Sequence, residues 1–407
     1  MGPLNDIKVL DLSRILAGPW ATQCLADFGA TVWKVEKPGA GDDTRLWGPP
    51  WIKNAKGADT KDAAYFASTN RGKQSLAIDF TKAAGQQLIR SLAMRADVVI
   101  ENFKVGTLAK YRLDYKSLAG VNPKLIYCSI SAFGQDGPAK DEPGYDAMIQ
   151  AMSGLMSVTG VADGEPGAGP VKVGVAVSDL ITGLYAVAAI TAALHEREHS
   201  GRGQHIDLAL LDTQVAALAN QNLNYLMTGK PPVRRGTAHP NIVPYQAFAS
   251  KDGYLMLAVG NDRQFAAFCK AAGKPALSAD RRFRSNAGRV KHRSALIQIV
   301  DNLCRKRPTR TWLKILAKAG VPCGPINDLA QVFKEPQVKH RKLRFVLPHG
   351  AGARIPQVRN PILYSRTALE YRIPPPVLGE HTTRVLVSEL GLSAGEILSL
   401  KADAVIC

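Results

Sequence analysis

The sequence predicts an α/β protein: a parallel sheet covered by helices, followed by a smaller α+β unit. Three observations carry this. Strand-like and helix-like segments alternate from Ile7 to Gly134, the pattern of βαβ units. A long apolar run from Val173 to Leu194 holds one charged side chain, Asp179. After Gly203 the alternation stops, and a Pro- and Arg-rich stretch separates what precedes from a unit with its own strand pair.

In order, IKVLDL reads as the first strand, and Gly18-Pro19 opens a helix through Leu25, because proline suits a first helical turn. TVWKVEK is the next strand. SLAIDF, AGQQLIRSLAMRA and DVVIENF repeat strand, helix and strand, and KLIYCSISAFG ends a further strand in a glycine turn. This is a Rossmann-like arrangement with right-handed crossovers. VGVAV reads as a strand and Ser178 as a helix N-cap, which places Asp179 in the first turn. Leu180, Ile181, Leu184, Val187, Ala188 and Leu194 then recur at helical spacing.

QHIDLALLDTQVAALANQNLNYLMTG reads as a strand-like start and one long helix, and KPPVRRGTAHPNIVPY as a loop. YQAFAS and GYLMLAV form a strand pair, with helices continuing to about Leu329. A Pro-, Lys- and Arg-rich connection follows, then one helix near HTTRVLVSELG. The expected domains are a large unit over 1–203, a linker helix over 204–230 and a small unit over 231–329. An extended linker covers 330–375, and 376–407 returns to the large unit. There is no internal repeat.

Composition narrows the class. With 46% hydrophobic and 21% charged residues in 407, the chain is globular. Its six cysteines are scattered without a CxxC pair, which fits a reducing compartment and neither a disulfide framework nor a cysteine metal site. No signal or transit pattern precedes IKVLDL, so the expected location is cytoplasmic, or an organelle matrix if a transit peptide has been removed.

The net charge of +18 suits nucleic acid, a membrane face or polyphosphate ligands. Between Arg281 and Lys314 eleven Lys or Arg meet one acid, Asp301. This reads as a solvated basic helix pair, since no aromatic residues are interleaved for base stacking. His195-Glu196-Arg197-Glu198-His199 matches the zinc pattern HExxH. It falls in the last turn of its helix with no third ligand in a matching context, so no metal site is expected.

Asp179 is the residue that asks for an explanation, because a carboxylate in an apolar run is costly unless paired or hydrogen-bonded. Two readings stand on the residues alone. It caps its helix, where free amides and the macrodipole favour an anion, or it is a poorly solvated carboxylate nucleophile.

Ten stretches bear on the choice. They are VLDLSRILAGPWATQCLADFGATVWKVEKPGAGDDTR, NRGKQSLAIDF, DVVIENFKVGTL, YCSISAFGQDGP, GYDAMIQAMSGLM, GVAVSDLITGLYA, SGRGQHIDLALLD, GTAHPNIVPYQAF, GVPCGPIND and PPPVLGEHT. Together and in order they resemble the family III CoA-transferases, over nearly the whole chain. PGAGDDTRLWGPP, RRGTAHPNIVPYQAF and PPPVLGEHTT carry a likeness to that family's dicarboxylate branch.

The resemblance implies CoA transfer between carboxylic acids, with succinyl-CoA and glutarate or similar dicarboxylates as the pair. Asp179 is then the nucleophile, passing through an anhydride and an aspartyl-CoA thioester. Coenzyme A is a co-substrate, with no permanently bound cofactor. The implied partners are acyl-CoA, carboxylates and a second copy of the chain in an interlaced homodimer, without nucleic acid or membrane.

By the same resemblance CoA meets Leu16, Ala17, Lys37, Arg71, Lys73, Asn102, Phe103, Lys104 and Lys110, with Ser131, Ala132, Phe133 and Gly134 near the pantetheine. Among the lysines, ordinary solvated side chains are the competing reading. A distal carboxylate calls for an arginine clamp, with Arg14, Arg45 and Arg235 as candidates and His239 as a further donor. Trp47, Tyr65 and Tyr145 are candidates to face the acyl group, and Arg235-Gly236-Thr237-Ala238 to supply oxyanion amides. The aliphatic Leu16 argues against oxalate. The rival is an α-methylacyl-CoA racemase, which uses a histidine where this chain reads Gly144-Tyr145-Asp146. A basic nucleic-acid-binding protein is the distant third reading, and it leaves Asp179 unexplained.

Overall fold

The computed structural model describes residues 2–350, 352 and 354–407. The chain divides into two compact units. The large one comprises residues up to 155, 172–230 and 341–407; the small one comprises 156–171 and 231–340.

The large unit is built on six parallel strands: β1 (Lys8–Asp11), β2 (Thr31–Glu36), β3 (Lys73–Ala77), β4 (Val98–Glu101), β5 (Ile126–Ser131) and β6 (His205–Ala209). Their order across the sheet is β3-β2-β1-β4-β5-β6, all neighbours parallel. The chain runs outward from β1 to one edge and returns to start again beside it. The crevice beyond the carboxyl ends of β1 and β4 is therefore the topological switch point, where open parallel sheets bind ligands.

Helices cover both faces. On one lie α1 (Ala17–Asp27) and a 24-residue helix over Val177–Ser200, packed on Val9, Val32, Val98, Ile100 and Ile126. On the other lie α2 (Ala83–Ala93) and the C-terminal helices Thr382–Leu390 and Ala394–Ala402. The tail is fixed to β3: Ala77 N–H donates to the Thr382 hydroxyl at 2.9 Å and Asp79 N–H to Val405 C=O at 2.8 Å.

Two sequence expectations change here. The region over 205–230 is not one helix. It holds β6 and a helix over Leu210–Ala217, and after a break at Ala219 (φ +44°) a helix over Asn220–Thr228. The connection after 330 is also structured, with a hairpin of Arg344–Pro348 against Arg354–Val358.

The small unit carries an antiparallel sheet of β7 (Tyr245–Ala249), β8 (Tyr254–Ala258) and β9 (Cys323–Pro325), with β8 central. Helices Asp262–Ala271, Arg293–Cys304 and Thr309–Lys318 close its core around Phe265, Phe268, Leu296 and Trp312. The basic run is not simply a solvated face. Arg289 is fully buried and donates to the carbonyls of Val243 at 2.7 Å and Phe283 at 3.0 Å, beside Asp262.

Beside the carboxyl ends of β1 and β2 lies a buried ionic network, which Lys73 joins from the start of β3. Asp11 accepts from Ser13 N–H, the Ser13 and Thr22 hydroxyls and Lys73 Nζ, the last at 3.1 Å. Lys34 Nζ donates to Asp42 at 2.9 Å, and Arg45 is bidentate to Glu36 at 2.7 and 2.8 Å. Replacing Asp11 with alanine leaves Lys73 and Lys34 without this carboxylate. The expected loss is about 3–5 kcal/mol of unfolding free energy, read as a lower midpoint in urea. A loss under about 1 kcal/mol would show that water or a shifted proton compensates.

Candidate functional site

The site is assembled from the two loops at the switch point and the start of the Val177–Ser200 helix. After β1 the chain turns sharply: Ile15 sits at φ +71°, a conformation that a β-branched residue avoids. Its neighbours hold it there. Ile15 N–H donates to the Asp42 carboxylate at 3.2 Å, and Lys34 Nζ donates to Ser13 C=O at 3.0 Å. Asn102, just past β4, clasps Arg14 from both sides. Its Oδ1 accepts Arg14 N–H at 2.9 Å and its Nδ2 donates to Arg14 C=O at 2.7 Å. This turn sets buried Leu16 and Ala17 at the start of α1, whose first turn has no side-chain cap.

Asp179 is carried to the same place by helix packing. A Cβ on Gly183 would come within 2.7 Å of Ala17 C=O and 3.0 Å of Trp20, so only glycine allows this approach. Asp179 lies one turn earlier on the same helix face.

The entry to this helix differs from expectation. Residues 173–176 form no strand, the N-cap is Ala176, and Ser178 is in the first turn. What fixes the segment is side-chain bonding from a short helix, Asp146–Met152. Asp146 accepts Ser178 N–H at 2.8 Å and Gln150 accepts Val173 N–H at 2.9 Å, while Gln150 Nε2 donates back to Asp146 at 2.6 Å. The Ser178 hydroxyl donates to Gln214 at 2.8 Å. Sequence reasoning noticed Asp146 only as the last letter of Gly-Tyr-Asp and missed Gln150. Their spacing of four, on one helix face, was the available signal.

Burial, and then the nearby Asp146 charge, push the Asp179 carboxyl up to about 7. Tyr65 shares this field: burial, then Asp179, Asp146 and Asp42, raise its phenol. Trp47 packs edge-on against Tyr65 with centroids 5.1 Å apart. Trp47, Tyr65, Asp146 and Asp179 thus form one cluster, while Tyr145 is 62% exposed.

The other candidates divide clearly. Arg14, Lys37, Lys104 and Lys110 are exposed on the loops after β1, β2 and β4. Arg14 pairs with Asp43 at 2.8 Å and lies over the Phe103 ring. Ser131, Ala132, Phe133 and Gly134 follow β5, with Gly134 at φ +98°. Three cations need correcting. Lys73 has no exposed side-chain surface; its ammonium donates to Asp11, Pro19 C=O and Asn70. Arg71 is buried on Asp27 at 2.6 Å, and Arg45 is held by Glu36 and Asp62 and covers Phe66. Each is neutralised inside the large unit and is unsuited to clamp a substrate anion.

Arg235 and His239 belong to the small unit. There Gly236 N–H already donates to Gly160 C=O at 2.9 Å and Ala238 N–H to Arg235 C=O at 3.0 Å, which removes two of the expected oxyanion donors. His195 and His199 lie on exposed final turns, and the described residues hold no cluster of three metal-ligating side chains.

This geometry gives a part-buried carboxylate with no cationic partner among the described residues, beside a switch-point crevice edged with cations. The sequence profile described as CoA-transferase family III matches residues 4–382. The chain belongs to this family. A succinate–glutarate CoA-transferase of Agrobacterium fabrum is 52% identical over 94% of this chain and 95% of its own length. The human succinyl-CoA:glutarate CoA-transferase is 43% identical over 98% of this chain and 89% of its own. A crystal structure of a CaiB/BaiF family protein from Brucella suis superposes with TM-score 0.83 at 48% identity, covering 95% of this chain and 99% of that one. As a family III CoA-transferase the chain uses CoA as co-substrate.

If the Asp179 carboxylate reacts as an anion, kcat/KM for acyl-CoA declines as pH falls through about 7, approaching tenfold per pH unit below it. Asp146→Asn keeps an acceptor for Ser178 N–H but removes the neighbouring charge. Its acid limb is expected at lower pH than that of the parent. A limb at the parent position would mean that burial alone sets the Asp179 proton affinity.

Proposed function

We propose that the protein transfers CoA between dicarboxylates, from succinyl-CoA to glutarate or an acid of similar length, with Asp179 as nucleophile. The observation that carries this is Asp179 itself: a part-buried carboxylate without a cationic partner among the described residues, beside the start of α1. The names of the relatives support the substrate class. An oxygen of Asp179 attacks the thioester carbonyl and the CoA thiolate leaves, giving a mixed anhydride. The thiolate then attacks the aspartyl carbonyl, releasing succinate and leaving an aspartyl-CoA thioester. The acceptor carboxylate runs both steps in reverse.

With Asp179 ionised, no proton need move, since each nucleophile is then an anion. What the chain must supply is dryness around the anhydride and cations for the CoA phosphates. Lys37, Lys104 and Lys110 are our candidates for the latter, and Trp47 and Tyr65 for the acyl group. Arg14, Arg235 and His239 are the remaining candidates for the distal carboxylate.

The working form in this reading is a homodimer. Val177–Ser200 is long and apolar enough to cross a membrane by length and composition, yet only 39% of its apolar window is buried. Its Leu184, Val187 and Ala188 line a predominantly apolar groove of about 1490 Å³ with Trp20, Trp51 and Ile355. A second copy is the natural cover for such a face.

Two experiments test these statements. Incubation with succinyl-CoA and acid quench should leave a CoA or succinyl adduct on the peptide containing Asp179. Asp179→Asn should lack it and lose at least about 10³-fold in transfer to glutarate. An unmodified peptide with several donors would overturn covalent transfer. Light scattering should give twice the 43.8 kDa chain mass, and Leu184→Lys should shift it toward one; a monomeric parent would overturn the dimer.

A further inference from the structure

A second cluster of titratable groups lies across β4, β5 and β6, and the transfer chemistry does not use it. β4 ends in Glu101, a residue only 6% exposed. Its Oε2 accepts Phe103 N–H at 2.8 Å, and the Ser129 hydroxyl also bonds to it. Ser129 Oγ lies 3.0 Å from His205 Nε2, and the His205 ring stacks on Tyr115, centroids 5.1 Å apart and planes at 13°. A cavity of about 320 Å³ opens beside Glu101, Ser129 and His205.

The proton order follows. An ionised Glu101 takes the single Ser129 proton, so Ser129 must accept from His205 Nε2–H. Burial lowers the His205 proton affinity, which favours the neutral ring with its proton on Nε2. The relay ends at Glu101, and Glu101 ends at a backbone amide. That amide belongs to the loop whose preceding residue, Asn102, clasps Arg14 at the switch point. One residue pair, Glu101 and Asn102, therefore ties the loop after β4 to the sheet beneath it and to the loop after β1.

We infer that Glu101 is a positioning residue for the CoA-binding loop over Asn102–Lys110, holding it by the Phe103 amide when ionised and loosening it when protonated. This rests on the reading that Asn102, Phe103 and Lys104 meet CoA.

The surrounding groups define the pH range. Burial pushes the Glu101 carboxyl up to about 7, with Asp207 on β6 adding to the rise; the bonds from Ser129 and Phe103 oppose it. On β5, Tyr127 and Cys128 are raised well above neutrality and stay protonated. Lys104 on the loop itself, and Asp114 and Lys116 beside Tyr115, face the same cavity. The folded carboxyl is raised, so the charge-assisted bond is present above about pH 7 and weakens as pH falls through it. CoA affinity should follow that direction.

The test is the Kd of CoA by calorimetry across that range, in an Asp179→Asn background that removes the other carboxyl titrating near neutrality. CoA should bind on the order of tenfold more weakly about one unit below the midpoint than one unit above. Glu101→Gln should bind at the weak level throughout. The CoA phosphate titrates in both proteins, so the difference between them is what counts. Ser129→Ala removes a bond that lowers the Glu101 proton affinity, so its midpoint should move to higher pH. This shift is one that a merely structural role would not produce, and it is readable even if Glu101→Gln does not fold. CoA binding with an unchanged profile in Glu101→Gln, or an unmoved midpoint in Ser129→Ala, overturns the role of Glu101 and leaves the CoA reading standing. Absence of CoA binding in the Asp179→Asn parent overturns the CoA reading itself.

Discussion

The buried charges at the carboxyl ends of β1 and β2, with Lys73 from the start of β3, set the geometry on which the site depends. Asp11, Lys34, Glu36 and Lys73 project from three neighbouring strands into one layer, and Asp42 and Arg45 close it from the following loop. Apolar residues of similar volume would hold the sheet at least as well, so stability alone does not account for them. Each of these groups also reaches a backbone atom or a hydroxyl: Ser13 N–H, Ser13 C=O, Ile15 N–H, Asp42 N–H, Pro19 C=O and Ser75 Oγ. The layer therefore fixes a path for the chain between β1 and α1, including the unfavourable φ at Ile15. A hydrophobic layer could not specify that path.

Asp179 is built on the opposite plan. The carboxylates of Glu36 and Asp42, each bonded to a buried cation, have their proton affinity lowered. Asp179 has Asp146 as its main charged neighbour, and its affinity rises instead. The distinction is chemical. A carboxylate already bonded to a guanidinium is a poor nucleophile, because its lone pairs are engaged and its charge is neutralised. Asp146 completes the plan by holding the helix entry through Ser178 N–H while keeping a second negative charge near, so one side chain both positions Asp179 and prevents its neutralisation.

Legibility in the sequence followed how local the signal was. The strands and α1 and α2 were readable because Ile7–Leu12, Thr31–Lys37 and Val98–Phe103 are short apolar runs bounded by turns, a pattern that needs no partner to interpret. Asp179 was readable because one charge in an apolar run is anomalous wherever it folds. What failed was long-range. VGVAV is β-branched and alternating, yet Asp146 and Gln150 hold it as a loop. Lys73 and Arg71 looked like phosphate ligands because nothing in their own segment shows that Asp11 and Asp27, some sixty and forty residues earlier, will face them. Glu101 carries no signal of its own inside DVVIENF, since its partners Ser129 and His205 come from strands that meet it only in the sheet.

The fold changes what the net charge of +18 means. Taken whole, it suggests a polyanion-binding surface. In the fold, several of these cations are internal: Lys34, Arg45, Arg71, Lys73 and Arg289 hold carboxylates and carbonyls in the two cores. The cations left exposed near the crevice are few, and they share one origin. Arg14, Lys37, Lys104 and Lys110 sit on loops that leave β1, β2 and β4 at the same end of the sheet. A ligand with phosphates at one end and a thioester at the other needs no broad basic face. It needs a small set of cations on loops held still relative to one carboxylate. The ionic layer under β1, the Asn102 clasp on Arg14 and the glycine contact between α1 and the Asp179 helix together supply that fixed relation.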